Sequence, residues 1–288
     1  MATLFDLLRK TYLSLGHLQV STATSGTKNI ITDTKLGDTY GDGDITGSAI
    51  FIIRDAGGDS AAPEGEVSYV IDYISSTNTM SVSPAFTAAV SVGDKYGIAK
   101  PIIDLETMIE IANDALQGLG TIQLFDTSIT TLDDVTEYQL PKHIKYKVAA
   151  VMIQTSSDTD NYEYVDINNW YVLNTSPGTV GELVFNRPLS SGYKLKIIYE
   201  AEHPRLNSMS DSVSETIHSE YATKLVVDKA LEYQVRRTNG TDQFLLQTQN
   251  KSMMDLQDAR SRFHTQKRKR PKYITPMDDR RYFEEEDD

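Results

Sequence analysis

The spacing of apolar residues switches between two periods four times along the chain, which excludes most simple architectures. Apolar residues recur at helical spacing over 3–15, 104–118 and 212–264, and at the two-residue spacing of strands over about 19–99 and 121–203. Helical and strand-forming segments therefore form separate blocks. We predict an α+β fold in which a helix, a β unit, a second helix, a second antiparallel β unit and a helical hairpin follow in order.

Capping and turn residues mark the ends of the predicted helices. Thr3 can cap the first helix and Asp104 the second. The last helical block is interrupted by Asn239-Gly240, a dipeptide typical of tight connections, so we predict an antiparallel hairpin of helices over 212–237 and 241–264. Each predicted helix has a set of apolar residues that we expect to pack against the rest of the protein. In chain order, the four sets are Leu4, Leu7, Leu8, Tyr12 and Leu15; Ile103, Met108, Ile111, Ala112, Ala115 and Leu116; Ile217, Tyr221, Leu225, Val226, Ala230 and Tyr233; and Leu246, Met253, Leu256 and Phe263.

The first β unit contains several short segments of strand-forming composition. AIFIIR at 49–54 is apolar enough to be buried on both faces, whereas EVSYVIDYI at 66–74 alternates and should have one face in water. Short strands at this spacing, separated by turn residues, predict a small β-barrel or sandwich inserted between the first two helices. The predicted strands are 29–32, 49–54, 66–74, 79–83 and 92–99.

The second β unit is rich in β-branched and aromatic residues. In YKLKIIY, residues 193–199, Lys194 and Lys196 are expected on the face opposite Leu195 and Ile197. The predicted strand segments are 138–141, 147–155, 162–164, 170–173, 181–185 and 193–199.

These patterns divide the chain into six segments. The predicted boundaries are 1–18 for the N-terminal helix, 19–100 for the inserted β domain, 101–120 for the second helix, 121–205 for the second β domain, 206–266 for the helical hairpin, which packs with 1–18 and 101–120, and 267–288 for a charged extended tail.

The tail has a composition that cannot build a core by itself. Its basic block could contact nucleic acid or an acidic protein surface, or it could remain a solvated tail. The acidic block in the same tail argues against DNA as the sole partner and suits a partner surface of both signs or pairing with a neighbouring subunit. The candidate partner-binding residues are Lys267, Arg268, Lys269, Arg270, Lys272, Glu284, Glu285, Glu286, Asp287 and Asp288.

Composition removes several classes of function. The chain has no cysteine, so disulfides, thiolate nucleophiles and zinc–thiolate sites are excluded, and folding in a reducing cytosol fits. A formal net charge of −13 argues against a surface that binds phosphate backbones throughout. No apolar run approaches the ~18–20 residues of a membrane helix, and the first residues lack the pattern of a signal peptide. We expect no membrane association.

The acidic turn that contains Asp38, Asp42 and Asp44 is the nearest approach to a metal-binding motif. It does not match a calcium-binding EF-hand loop, because Tyr40 stands where an oxygen ligand is needed and Ala49 where a bidentate Glu belongs. We expect an acidic, glycine-rich turn between strands and no metal.

No motif for catalysis or nucleotide binding occurs. Ser191 and Lys194 match the SxxK spacing by chance, because Lys194 should lie on a solvent-exposed strand face with an ordinary pKa. The histidines show no metal-ligand spacing, and we expect them on the surface or at an interface. We therefore expect a protein that is not an enzyme and holds no cofactor. The five histidines are His17, His143, His203, His218 and His264.

A group of aromatic residues in the second β unit leaves two interpretations open. Tyr162, Tyr164, Trp170 and Tyr171 could form an exposed platform on which sugar rings stack, as in a tail or baseplate component with a glycan-binding β domain. They could also belong to the core of a sandwich with a tyrosine-rich edge, which is the more common arrangement.

The organisation of the chain resembles the head-to-tail adaptor proteins, also called connector or neck proteins, of tailed phages. The resemblance runs from Trp170 to about Phe263: a Trp-Tyr-Val-Leu strand, Gly181-Glu-Leu-Val-Phe, Gly192-Tyr-Lys-Leu-Lys-Ile-Ile-Tyr, His203-Pro204, the region of Asp211 and two helices. The N-terminal β unit, with Gly65-Glu and Met80-Ser-Val-Ser-Pro-Ala-Phe, resembles a module often inserted into such proteins.

The resemblance implies a structural protein of the virion, made in the host cytoplasm and located at the head–tail junction. It implies a ring, usually of twelve copies, that docks under the portal protein and contacts tail or neck proteins. Residues 267–288 would be the segment that reaches the portal. The acidic composition suits a channel through which DNA passes without specific binding.

Overall fold

The computed structural model describes residues 2–57, 63–144, 147–156, 163–173 and 181–263. Over these residues the fold is α+β, with four helices and antiparallel sheets. The chain divides into two compact units: Met1–Gly120 with Glu202–Thr265, and a second unit whose described residues lie within Thr121–Ala201. Unit 1 therefore consists of two pieces that are distant in sequence. The predicted tail, 267–288, lies outside the described residues.

All four described helices belong to unit 1, and the caps of the first two were predicted from the sequence. The Oγ of Thr3 accepts a hydrogen bond from the backbone N–H of Asp6 at 3.2 Å, and the carboxylate of Asp104 accepts from the N–H of Thr107 at 2.8 Å. The predicted caps of the first two helices are thus correct. The helices are α1, Leu4–Ser14; α2, Leu105–Gln117; α3, Ser219–Arg237; and α4, Gln243–Arg262.

The third helix begins seven residues later than the predicted start at 212. The backbone before it is used elsewhere: the N–H of Val213 donates to the carbonyl of Ala2 at 2.9 Å, and Ser212 forms an isolated β-bridge with Thr3. A residue that pairs with the start of α1 cannot also join the helical hydrogen-bond ladder. Ile217, predicted to lie on the helix, is buried but precedes it.

One seven-stranded antiparallel sheet forms in unit 1. Its strand order is β1-β7-β4-β5-β6-β3-β2. The first two strands were not predicted. The last strand begins three residues later than predicted, because Gly93, at φ +92°, and Asp94 form a turn. The strands are β1, Leu18–Thr22; β2, Ser25–Gly26; β3, Ile30–Thr32; β4, Ala49–Arg54; β5, Val67–Ile74; β6, Thr79–Ser83; and β7, Lys95–Ala99.

The sheet is curled, but it does not form the predicted closed barrel or two-sheet sandwich within the described residues. The edge strands β1 and β2 are joined by only two residues. The N–H of Ala23 donates to Asp94 beside β7, and the N–H of Thr24 donates to Thr32 on β3. Two residues span at most about 7 Å, so the two edges must lie close together. No ladder pairs β1 with β2 in the described part of the sheet, so the curled sheet stays open between its two edges.

Strand β4 is buried on both faces, as predicted. On one face Ile50 and Ile52 contribute to the core inside the curled sheet. On the other face Phe51 packs against Phe5 and Tyr12 of α1, with ring centroids 5.6 and 5.8 Å away. The sheet is therefore the shared wall of two apolar layers. The core inside the curl comprises Ala23, Ile31, Leu36, Ile45, Ile50, Ile52, Val70, Tyr73, Met80, Val82, Phe86, Val90, Tyr96 and Ile98.

Strand β5 departs from the predicted alternation at one point. The register with β6 shifts between Val70 and Asp72, which is the effect of a β-bulge. Because of this shift Ile71 and Asp72 both face outward, and Ile71 is 58% exposed. The sequence pattern alone did not indicate the extra residue.

Unit 2 contains two antiparallel sheets, ordered β11-β10-β14-β8 and β12-β13-β9, that contribute to a common core. As predicted, Leu195 and Ile197 are buried, whereas Lys194 is exposed and Lys196 half-buried. The strand nearest the start of the unit was not predicted. The strands are β8, Ile122–Asp126; β9, Glu137–Gln139; β10, Val148–Gln154; β11, Tyr164–Ile167; β12, Trp170–Leu173; β13, Glu182–Phe185; and β14, Leu195–Ala201.

Candidate protein-interaction surface

The helical hairpin α3–α4 presents the clearest candidate surface for an interaction. Asn239 and Gly240 connect the helices with φ angles of 52° and 68°. At the other end of the hairpin the ring of His218, which caps α3, stacks on Phe263 at a centroid distance of 3.9 Å. Arg262 also lies 3.8 Å from Glu220. The hairpin is thus closed at both ends and antiparallel, as predicted.

The two helices of the hairpin differ strongly in burial. Helix α3 packs against α1, α2 and α4, and its buried residues include Tyr221, Val226 and Ala230. Helix α4 has 20 residues, and only Ser252 and Ala259 are buried. Burial of a small hydroxyl and a methyl group contributes little to stability. Most of the apolar surface of α4 therefore remains available.

The outer face of α4 exposes two adjacent methionines. Met253 is 46% exposed and Met254 is 71% exposed, while Leu246 is half-buried. Met253 was predicted to pack within the hairpin, and this prediction is wrong, because the residues of α4 that are buried are the small Ser252 and Ala259. Methionine is flexible and polarizable, and it occurs often at protein-binding surfaces. We call Leu246, Met253 and Met254 the α4 outer face.

A groove of about 420 Å³ lies on another side of α4, between α3, α4 and the end of α1. Phe244 lines it and is 78% exposed, the largest exposure among the large apolar residues of the described chain. The apolar lining also includes Leu15, Val227, Leu231 and Leu245. We call this cavity the hairpin groove.

The ten candidate partner-binding residues of the tail, Lys267 to Lys272 and Glu284 to Asp288, lie outside the described residues. The hairpin brings the chain to Phe263, which stacks on His218 at the start of α3. The segment that carries these residues is therefore attached at the end of the hairpin where α3 begins and α4 ends.

Two carboxylates of the acidic turn at 38–44 accept hydrogen bonds from nearby backbone N–H groups. The carboxylate of Asp42 accepts hydrogen bonds from the N–H and the hydroxyl of Ser75, and these bonds lower the pKa of Asp42. The carboxylate of Asp44 accepts from the N–H of Gly41 at 2.7 Å. Within the described ranges, no three His, Cys, Asp or Glu side chains are grouped so that they could hold a metal ion.

The histidines do not share one environment, and His203 departs from the prediction. It is 1% exposed, and its Nε2 accepts a hydrogen bond from the N–H of Ser214 at 3.1 Å, while Nδ1 lies 2.7 Å from the carbonyl oxygen of Pro204. This pattern requires a neutral ring that carries its proton on Nδ1. Burial lowers the pKa of His203 accordingly. A position before proline in a loop gave no signal of this burial.

Among the described aromatic residues of unit 2, Trp170 and Tyr171 do not share one exposed face. Trp170 is 9% exposed, belongs to the core and donates from Nε1 to the carbonyl of Ile167 at 2.9 Å. Tyr171, the next residue on the strand, points to the opposite face and is 45% exposed. Tyr162 lies outside the described residues. The sandwich-core interpretation therefore fits Trp170. The indole ring of Trp170 is too buried to stack on a sugar.

The SxxK pair of Ser191 and Lys194 lies on the surface of unit 2. Both side chains are exposed, as predicted for Lys194.

Two buried polar groups were not predicted as special. Asp33 is fully buried, and its carboxylate accepts hydrogen bonds from the hydroxyl of Tyr96 at 2.7 Å, the N–H of Lys35 at 3.0 Å and the hydroxyl of Ser21. Burial, and then this carboxylate, raise the pKa of Tyr96. Asn113 on α2 forms two hydrogen bonds to the backbone of Leu206. Both groups connect distant segments, so their role is structural.

No protein-family model, curated protein or solved structure matches this chain. No helix in the described part of the chain is long and apolar enough to cross a bilayer.

Proposed function

We propose that this chain is a non-enzymatic structural subunit of a tailed-phage virion. It forms a ring at the head–tail junction, binds the portal protein on one side and tail or neck proteins on the other, and surrounds the passage for DNA. The observation that carries this proposal is the α4 outer face, which leaves Met253 and Met254 exposed on a helix that has only two buried residues.

A stiff helix with unburied apolar residues suits a contact between identical copies. Helix α4 has 20 residues and is about 30 Å long. Packing of its outer face against a different surface of the next copy would repeat around a ring until the contact closes on itself. Twelve copies is the number that the resemblance to adaptor proteins implies.

The order of elements supports the same proposal. The resemblance to adaptor proteins was strongest over 170–263, and this region contains β12, β13, β14 and the complete hairpin. Helix α3 packs against α1 and α2, so the N-terminal helices and the hairpin belong to one compact unit. A compact helical unit fits a role in which many copies support one another mechanically.

Charge distribution supports a channel that does not hold DNA. The 25 residues of 264–288 contain seven basic and seven acidic residues, so the whole net charge of −13 belongs to residues 1–263. A body with 34 acidic and 21 basic residues repels phosphates on average. The basic block Lys267–Lys272 is, by the same argument, complementary to the body of a neighbouring copy or to an acidic partner.

Sedimentation of the purified protein, alone and with portal protein, tests the proposal. We expect a closed oligomer or a complex with the portal. The double variant Met253→Ser/Met254→Ser should lower assembly at least about tenfold, whereas Thr248→Ser/Asp255→Ser, which changes polar residues on the groove side of the same helix, should not. A wild-type protein that stays monomeric and ignores the portal contradicts the proposal.

A second experiment concerns the tail. Removal of 267–288 should leave the circular dichroism spectrum and the unfolding transition unchanged and should weaken assembly, with a smaller loss at high salt, because exposed ion pairs are screened. Loss of folding would show that the segment belongs to the core instead.

A further inference from the structure

The hairpin groove has the chemistry of a site for a short peptide with aromatic and acidic residues. Its apolar wall is formed by Leu231 and Leu245 together with the exposed ring of Phe244. Lys224 and Lys251 line the same groove and supply positive charge. A ligand that buries an aromatic side chain and presents carboxylates a few residues later would satisfy both parts.

The positive charge of the groove is only partly compensated. Lys224 lies 3.4 Å from Glu220, whereas Lys251 forms no ion pair with any described residue. Over residues 243–254 of α4, Lys251 is the only charged side chain. Asp255 is the single carboxylate in the lining, so the groove favours an anionic ligand over a cationic one.

The chain itself contains a segment with this pattern. Tyr282-Phe283 is followed directly by Glu284, Glu285 and Glu286. The basic block at 267–272 is a poorer match, because Lys224 and Lys251 would repel it. We propose that the hairpin groove binds Tyr282–Glu286 of the same chain, with the aromatic pair against Phe244 and Leu245 and the carboxylates at Lys251 and Lys224.

Covalent geometry permits this arrangement. Phe244 and Phe263 are 19 residues apart on α4, which corresponds to about 28 Å along the helix. Eighteen residues separate Phe263 from Tyr282, and a chain of that length can span up to about 60 Å. Attachment to the hairpin gives the segment an effective concentration on the order of millimolar. This is the reason to place the segment in the groove of its own chain and not of another copy.

Binding in the groove would also occupy the acidic block before assembly. A partner with a cationic surface would then compete with Lys224 and Lys251 for Glu284–Glu286. The inference does not depend on the ring, because it concerns one copy and is measured on dilute protein.

Disulfide trapping in the full-length chain tests the inference, because the natural sequence has no cysteine. The test pair is Thr248→Cys with Phe283→Cys, since Thr248 lines the groove. The control pair is Gln257→Cys with Phe283→Cys, because nine residues place Gln257 on the opposite side of α4. In a glutathione buffer we expect the test pair to close at least about tenfold faster than the control, within one copy.

Charge variants test the electrostatic part. Lys251→Glu should slow the closure of the test pair at least about threefold, whereas Arg260→Glu, on the same helix but outside the groove lining, should leave it unchanged. High salt should also slow closure. Gln234→Cys on the α3 side of the groove provides a second test position if Thr248→Cys does not fold.

Equal rates for the test and control pairs, or a disulfide that joins two copies, would overturn the inference. Neither result bears on the ring, which is assessed through Met253 and Met254 on the outer face.

Discussion

The Nε2 atom of His203 lies 3.1 Å from the backbone nitrogen of Ser214 and accepts its hydrogen. Next to Ser214, Val213 donates to the carbonyl of Ala2, so this histidine fixes a segment that runs along the start of α1. A proton on Nε2 would abolish the hydrogen bond, because both ring nitrogens of an imidazolium are donors. The connection therefore depends on pH.

We expect the protein to lose stability when the pH falls from 7 to 5. Burial lowers the pKa of His203 in the folded state, so the unfolded chain binds the proton more readily. The contribution of a neutral, buried histidine is present above its unfolded pKa of about 6.5 and decreases as the pH falls below that value. Urea unfolding at several pH values measures the effect.

The matched variant is His203→Gln, whose carbonyl oxygen can still accept from Ser214 and which does not titrate. Its stability should depend less on pH between 7 and 5. Burial also lowers the pKa of His17, assisted by Lys100, so a residual dependence of the same sign is expected. Identical pH profiles for the variant and the natural protein would exclude His203 as a source.

The two hydrogen bonds between Asn113 and Leu206 should stabilise unit 1 strongly. Asn113→Ala removes a donor at 2.9 Å and an acceptor at 2.8 Å and leaves two backbone groups buried without partners. We expect the free energy of unfolding to fall by about 3 kcal/mol. Asn250→Ala, at an exposed position of α4, should change it by no more than about 0.5 kcal/mol. If Asn113→Ala lowers the free energy of unfolding by less than about 1 kcal/mol, water must take over the hydrogen bonds to Leu206.

Phe51 should be the most sensitive aromatic residue of the sheet. It is fully buried between β4 and the rings of Phe5 and Tyr12. Phe51→Ala should lower the free energy of unfolding by about 3–5 kcal/mol, because neither α1 nor the sheet can move far enough to fill the cavity that the ring leaves. Phe125→Ala, at a ring that is 41% exposed and lies under the ammonium of Lys196, should cost about 1 kcal/mol. Thermal unfolding of both variants measures these losses. If the two variants lose similar stability, the sheet does not separate two apolar layers at Phe51.

Asp228 on α3 should be a destabilising charge. One of its carboxylate oxygens is buried without a partner among the described residues, and burial raises the pKa of this group, assisted by Glu232. A raised carboxyl pKa means that ionisation weakens the fold, so stability should increase as the pH falls through that pKa. Asp228→Asn should raise the free energy of unfolding at pH 7 by about 0.5 kcal/mol, a small gain because the site is partly solvated. Asp255→Asn should give no gain.

Local pattern was sufficient for much of unit 1. The composition of AIFIIR predicted a strand buried on both faces, and Asp104 predicted the start of α2. Both depend on residues that are close in sequence. The same holds for Asn239-Gly240, whose positive φ angles set the hairpin.

Features that depend on distant partners were missed. Ser21, Asp33 and Tyr96 meet only after the sheet has formed, and nothing near Asp33 in sequence indicates that its carboxylate is buried. The same is true of His203, and of the start of α3, which is delayed by pairing with α1. For the candidate surface, helical spacing located α4 but not its orientation. Met253 has the apolar character of a packing residue, and only the position of Ser252 and Ala259 against α3 shows that it faces outward.

The division of unit 1 into Met1–Gly120 and Glu202–Thr265 has a consequence for biosynthesis. When the ribosome has completed residue 201, every strand of unit 2 has been made, while α1 and α2 still lack the helix that covers them. The second unit can thus reach its native state during translation. In the first unit, the apolar faces of α1 and α2 stay exposed until α3 has been made. Chaperone capture of nascent chains should therefore be strongest for polypeptides that stop between α2 and α3.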